Sequence, residues 1–224
     1  MVTREASDLV VQVDGRRPVS AGLVTAVGAA CDSAEDRADR NTVILHVSGA
    51  PEGPPDGDVT VALVSKWERV LRRLERLPAA TIAVASGECG GTALEALLAT
   101  DYRIAAASVR LLMPARARAT WPGMVLYRLV RQAGAAAVRQ AVLFGVPIVA
   151  ADAVAMRLID ELAIDTPGAL VAAEELAEAI PGAELAIRRQ LMQDAATVSF
   201  EDALGAHLAA CDRVLRRESA AAAR

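Results

Sequence analysis

Apolar and polar positions along the first half of the chain switch between two periods, and the switches mark the elements. Leu9 to Val13 (LVVQV) is a short apolar run closed by Asp14-Gly15, which predicts a strand and its turn. Ser20 then sits at the cap of an Ala- and Val-rich stretch that predicts a helix to about Ala38. Val43 to Val47 (VILHV) reads as a strand buried on both faces. The ten residues Gly49 to Asp58 hold three prolines and three glycines, which leaves no room for helix or ladder. From Val61 the apolar residues Leu63, Val64, Trp67, Val70, Leu71 and Leu74 recur at helical spacing, with Glu68 and Arg72 paired on the outer face and Pro78 as the stop. Thr81 to Ala85 (TIAVA) predicts a third buried strand, followed by a turn from Ser86 to Gly91 and a short helix from Thr92 to about Ala99.

Tyr102 to Ala105 and Val109 to Met113 continue in extended pattern, the second stopped by Pro114. Trp121-Pro122-Gly123 then opens a mainly helical half, with Pro122 suited to a first helical turn. Helical faces follow at Val125–Val130, Ala137–Val142, Ala150–Leu158, Leu170–Ile180 and Ala183–Ala195. A last helix begins at Ser199, whose spacing to Asp202 is a capping-box variant, and runs to about Arg217. The expected fold class is α/β, with helices gathered towards the C-terminus. Residues 1–145 are expected to form the α/β core and 146–224 a C-terminal helical region.

Composition narrows the partners. The chain has 224 residues, 54% of them hydrophobic and only 3% aromatic, so the core must be built from Ala, Val and Leu. Mean hydropathy is +0.31, which excludes disorder driven by low hydrophobicity. The apolar runs fall short of the ~20 residues that span a bilayer. No apolar signal core follows Met1-Val2-Thr3-Arg4-Glu5, so a cytoplasmic protein with no membrane partner is expected. A net charge of −4 argues against a general nucleic-acid binder. Cys31, Cys89 and Cys211 match neither a disulfide framework nor a metal knuckle.

Candidate chemistry concentrates after the third strand. The glycines there lack the GxGxxG and GK[ST] spacings of nucleotide loops. What is left is a helix N-terminus with amides near Gly91-Thr92, which suits a carbonyl oxygen becoming an oxyanion; a plain tight turn accounts for the same residues. Glu95 lies one turn further along a helix that is apolar nearly all round. Burial would raise the pKa of such a carboxyl and fit it for general acid–base work, whereas a rim position would leave it solvated. His46 and His207 read as structural and form no ligand cluster. Ser86 lacks a nucleophile elbow, Arg116 and Arg118 suit a solvated loop, and Cys89 has no local base.

Taken together, Gly87-x-x-Gly90-Gly91-x-x-x-Glu95 followed by Asp101-x-Arg103-Ile104-Ala105 resembles the second oxyanion-loop signature of the crotonase (enoyl-CoA hydratase/isomerase) superfamily. Trp121-Pro122-Gly123, Arg128-Leu129, Ala150-Ala151-Asp152-Ala153 and Leu158-Ile159-Asp160 match its later landmarks in order. Within the superfamily, Lys66-Trp67-Glu68-Arg69, Ala99-Thr100-Asp101-Tyr102-Arg103-Ile104 and the tail from Ser199 to Leu208 are most similar to the B-type hydratase-like helpers of 3,5-dihydroxyphenylglycine biosynthesis.

The resemblance implies a spiral of ββα units with a C-terminal helical oligomerisation region, assembled as a trimer or hexamer. It implies a CoA-thioester substrate, no further cofactor and no metal. A type III polyketide synthase is the implied partner, with 3,5-dihydroxyphenylacetyl-CoA, an antibiotic precursor, as the product. The thioester carbonyl would sit between an amide from the Asp56, Gly57, Asp58 loop and one near Gly91 and Thr92, with Glu95 as the catalytic carboxylate. The family's second carboxylate is expected after Pro114, where this chain has Ala115. Family hydratases use two carboxylates to handle water and the α-proton, whereas one can serve proton transfer or elimination from an activated β-position, so a dehydratase or isomerase is expected. A protein that has lost chemistry and only binds the synthase is the alternative.

Overall fold

The computed structural model describes residues 9–36, 42–53, 59–113 and 123–222, with side chains described as far as residue 216. Three parallel strands are laid down first: β1 (Leu9–Asp14), β2 (Thr42–Gly49) and β3 (Ala80–Gly90). They pair in sequence order, with Leu9 beside Val43 and Val43 beside Thr81. Parallel neighbours need crossovers. These are α1 (Ala21–Asp36), whose Leu23 N–H donates to Ser20 Oγ at 3.2 Å, and α2 (Val61–Leu74), whose Leu63 N–H donates to Thr60 Oγ1 at 3.2 Å. The Ser20 cap and the starts of the three strands therefore fall within a residue of where the sequence pattern puts them.

Next come α3 (Gly91–Leu98), β4 (Tyr102–Ala106) and β5 (Arg110–Leu112). The helices α4 (Val125–Ala133) and α5 (Ala135–Phe144) precede two short strands, β6 (Ile148–Val149) and β7 (Glu161–Ala163), separated by α6 (Ala150–Ala155). The chain continues through α7 (Thr166–Glu178), α8 (Gly182–Asp194) and α9 (Phe200–Ala222). The main sheet runs β1-β2-β3-β4-β7, while β5 pairs with the far end of β3 and, antiparallel, with β6. Two expectations change here. The segment Ser86–Gly90 is not a turn but the kinked continuation of β3, with Gly87 at φ +61° and Glu88 beside Arg110 of β5. The strands β6 and β7, which the pattern does not foretell, bring chain beyond residue 145 into the sheet.

One face of the sheet carries the main core. Leu45 and Val47 meet Val27 and Cys31 of α1, Leu71 and Leu74 of α2, and Leu94 and Leu97 of α3. The other face is covered by α7, where Ala169 and Ala173 pack on Ile82 and Ile104. All eight residues of α3 are buried. That explains its composition, since a helix enclosed on every side has no face left for polar residues except where one has a purpose.

The C-terminal ends of β1, β2 and β3 are pressed together. A Cβ on Gly15 would fall 2.2 Å from the Gly90 carbonyl oxygen and 2.3 Å from that of Gly49, so only glycine lets these turns touch. Gly91 follows with φ +54°, a backbone form that glycine adopts without strain, and so starts α3 directly from the strand end. In open α/β sheets this edge, beyond the carboxyl ends of the strands, is where ligands bind.

Candidate active site

Helix α3 enters from Gly90, which offers no side-chain cap. Geometry alone leaves the first-turn amides of an α-helix without intrahelical acceptors, and the helix dipole makes that end attractive to negative charge. Gly91 and Thr92 are both buried there, with Pro51 of the segment after β2 packed on Gly91. The Thr92 hydroxyl is directed back into the protein, within 3.4 Å of the Arg17 carbonyl. Thus Thr92 contributes its backbone to this end, and its side chain ties the turn after β1.

Glu95 stands four residues after Gly91, on the same face of the helix, and a glutamate in a helix leans towards the N-terminus. It is 1% exposed and the sole buried carboxylate among the described residues. Its Oε2 accepts a hydrogen bond from the indole Nε1 of Trp67 at 2.6 Å, and Trp67 is itself 1% exposed. Its Oε1 lies against the Gly123 backbone, where an added Cβ would fall 1.5 Å away. The acid expected from the sequence is therefore buried and directed, not solvated. Of the other candidate positions, Asp56, Gly57 and Asp58 lie outside the described residues, as do Ala115, Arg116, Arg118, Trp121 and Pro122.

Trp67 and Gly123 enter the site only through the structure. The pattern places Trp67 on the apolar face of α2, which is correct, but says nothing of its acceptor. The available signal is scarcity: one of two tryptophans in the chain, buried, must find an acceptor for its N–H. Cys89 is buried beside this end, and burial pushes its thiol up to about 12, so it offers no nucleophile. Ser86 is exposed on the kink of β3, while His46 and His207 lie apart on β2 and α9.

A cleft of about 920 Å³ opens at the opposite, C-terminal end of α3, between α2, α4 and α8. Three of the arginines that line it are engaged with the chain. Arg103 donates to the Leu98 and Thr100 carbonyls at 3.0 Å each, closing the end of α3. Arg128 pairs with Glu68 and Glu75 at 2.8 Å each. Arg189 forks onto Asp101 at 2.6 and 2.7 Å and also donates to the Leu77 carbonyl at 2.7 Å. Asp101 and Arg103, part of the sequence signature, thus build the scaffold at the C-terminal end of α3.

A buried carboxylate beside a helix N-terminus can carry a proton to and from a carbon whose neighbouring carbonyl becomes an oxyanion, which is the chemistry of enolate-forming enzymes. Comparison with known proteins agrees with that class. Residues 59–218 match the enoyl-CoA hydratase/isomerase family. An enoyl-CoA-hydratase of Amycolatopsis orientalis is 52% identical over 212 residues, covering 95% of this chain and 98% of that protein. The chain belongs to the enoyl-CoA hydratase/isomerase family, the crotonase superfamily.

The fold agrees as well. An enoyl-CoA hydratase/isomerase of Marinobacter aquaeolei superposes with a TM-score of 0.78 at 15% identity, covering 96% of this chain and 90% of that one. A Thermobifida fusca YX protein assigned as an enoyl-CoA hydratase, solved in complex with acetoacetyl-CoA, gives 0.78 at 18% identity, covering 96% and 94%. Among the described residues no helix is long and apolar enough to cross a membrane.

Proposed function

We propose that the protein is a CoA-thioester dehydratase or isomerase that works through a thioester enolate, with Glu95 as its proton carrier. The observation that carries this reading is the burial of Glu95 one helical turn from Gly91, at the end of α3 where backbone amides favour negative charge. Glu95 takes the α-proton, and the electrons pass to the thioester oxygen, held by an amide near Gly91 and Thr92 and by one from the loop of Asp56, Gly57 and Asp58. In elimination the enolate then expels a β-hydroxyl. The same carboxyl returns its proton to that oxygen, so water leaves and Glu95 is again ionised. In isomerisation the proton returns to a different carbon. Ala115, where the family's second carboxylate is expected, leaves one carboxylate, which can serve isomerisation or elimination from an activated β-position. The acetoacetyl-CoA held by the Thermobifida neighbour supports a thioester substrate; we propose no further cofactor and no metal.

The physiological role we propose is assistance to a type III polyketide synthase in the dehydration and aromatisation that give 3,5-dihydroxyphenylacetyl-CoA, in the cytoplasm. The support is the sequence likeness at Lys66–Arg69, Ala99–Ile104 and Ser199–Leu208. A homotrimer or hexamer is proposed through the C-terminal helices, because α9 leaves Phe200, Leu204, Leu208 and Leu215 exposed. The deciding experiment incubates synthase and malonyl-CoA with the wild type or Glu95→Gln and follows release of the aromatic thioester. Release should be fast with the wild type and fall to the synthase-alone rate with the variant. Equal assistance by both would leave only the alternative, a non-catalytic partner of the synthase.

A further inference from the structure

We infer that Trp67 is the positioning residue of the Glu95 carboxylate, and that Gly123 is the clearance that lets the carboxylate lie where Trp67 points it. The inference rests on the proton-carrying role proposed for Glu95. A glutamate has several rotatable bonds, and burial alone does not choose among its rotamers. An indole N–H is a donor only, so it can engage a carboxylate oxygen in one sense. The 2.6 Å contact from Trp67 Nε1 to Oε2 is short, as hydrogen bonds to charged acceptors are.

Helix α2 also governs the second wall. Glu68, the next residue after Trp67, accepts the Met124 N–H at 2.7 Å through Oε1 and holds Arg128 at 2.8 Å through Oε2. Those contacts fix the entry to α4 immediately after Gly123, whose missing side chain is the space Oε1 occupies. Residues 67 and 68 therefore act on both oxygens of Glu95, one directly and one through the backbone at 123–124. This gives the Trp67-Glu68 pair a task that helix amphipathicity does not account for: the indole fixes direction, and the neighbouring carboxylate fixes the wall.

The test uses exchange of the α-protons of phenylacetyl-CoA in deuterated buffer, read by mass spectrometry, on the full chain, together with the indole N–H resonances of ¹⁵N-tryptophan-labelled protein. Trp67→Phe removes the donor, and Gly123→Ala pushes a methyl group into the carboxylate. Each variant is normalised to its folded fraction by urea unfolding. The expected result is a fall in kcat on the order of 10²-fold, as for a misplaced catalytic group, with KM within about twofold. In wild-type protein the indole resonance that Trp67→Phe deletes should move upfield on Glu95→Gln. Wild-type kcat in Trp67→Phe, or an indole resonance that ignores Glu95→Gln, overturns the inference while leaving the role of Glu95 intact. A wild type that exchanges no α-protons overturns both.

Discussion

Among the described residues, the N-terminal half of α3 holds one buried acid, Glu95, which accepts from the indole of Trp67. Its C-terminal end is crowded with charge: Arg103, Arg128 and Arg189 are all buried and bonded to Asp101, Glu68, Glu75 and backbone carbonyls. A cleft lies at the crowded end, yet Arg103, Arg128 and Arg189 in its wall are spent on holding α2, α3, α4 and α8 together. Charge density there marks construction. A buried group with a fixed direction and a nearby helix N-terminus is where we propose the chemistry.

The largest effect that separates the two ends should come from Glu95→Gln, which keeps volume and an acceptor for Trp67 but cannot carry a proton. Phenylacetyl-CoA α-proton exchange should fall by about 10²–10⁴-fold, the usual span for a general acid–base group, with the urea midpoint little changed. Arg189→Met should do the reverse. It takes the guanidinium from Asp101, which is exposed and keeps its bonds from Thr81, and removes the donor from the Leu77 and Ala79 carbonyls, so urea unfolding should show a loss of about 1–3 kcal/mol, while exchange per folded molecule stays within about twofold. A large activity loss in folded Arg189→Met would erase the distinction between the ends.

The two ends were also unequally legible in the sequence. Leu9–Val13, Val43–Val47 and the α2 face follow simple periods, and the four-residue spacing of Gly91 and Glu95 is enough to put them on one helical face. The extension of β3 through Gly90 was not readable, because its partner Arg110–Leu112 is supplied by distant chain and Gly87 and Gly90 suggest a turn. Strands of two and three residues, β6 and β7, are too short to show a period. The Trp67–Glu95 bond joins positions 28 residues apart, so it belongs to tertiary packing alone. Conversely, Asp101 and Arg103 stand out as a signature, but what they do is close the far end of α3 and anchor α8.

A moderate effect probes how dry the site end is. Burial raises the Cys89 thiol to about 12 and the Cys31 thiol to about 11, whereas Cys211 is exposed on α9. At pH 8 a disulfide reagent should therefore label Cys211 within the mixing time and reach Cys31 and Cys89 only in denaturant. Rapid labelling of Cys89 in native protein would mean that water reaches the strand end beside Gly91.

The smallest effect serves as a surface control. Glu35 lies with Arg73 on α1 and α2, and the guanidinium holds its carboxyl below the usual value. A depressed folded pKa stabilises above the unfolded pKa and is lost as pH falls through the folded one. Both groups are more than a third exposed, so Glu35→Gln should cost less than about 1 kcal/mol at pH 7, and the difference should vanish in acid. Urea midpoints of the two proteins against pH measure it; a gap that widens in acid would have the wrong sign.

The central claim is that Glu95 moves the proton. Phenylacetyl-CoA incubated in deuterated buffer with wild-type protein and with Glu95→Gln tests it most directly. Deuterium should enter the α-carbon with the wild type and reach only the solvent background with the variant. Equal deuterium incorporation by the two proteins would contradict it.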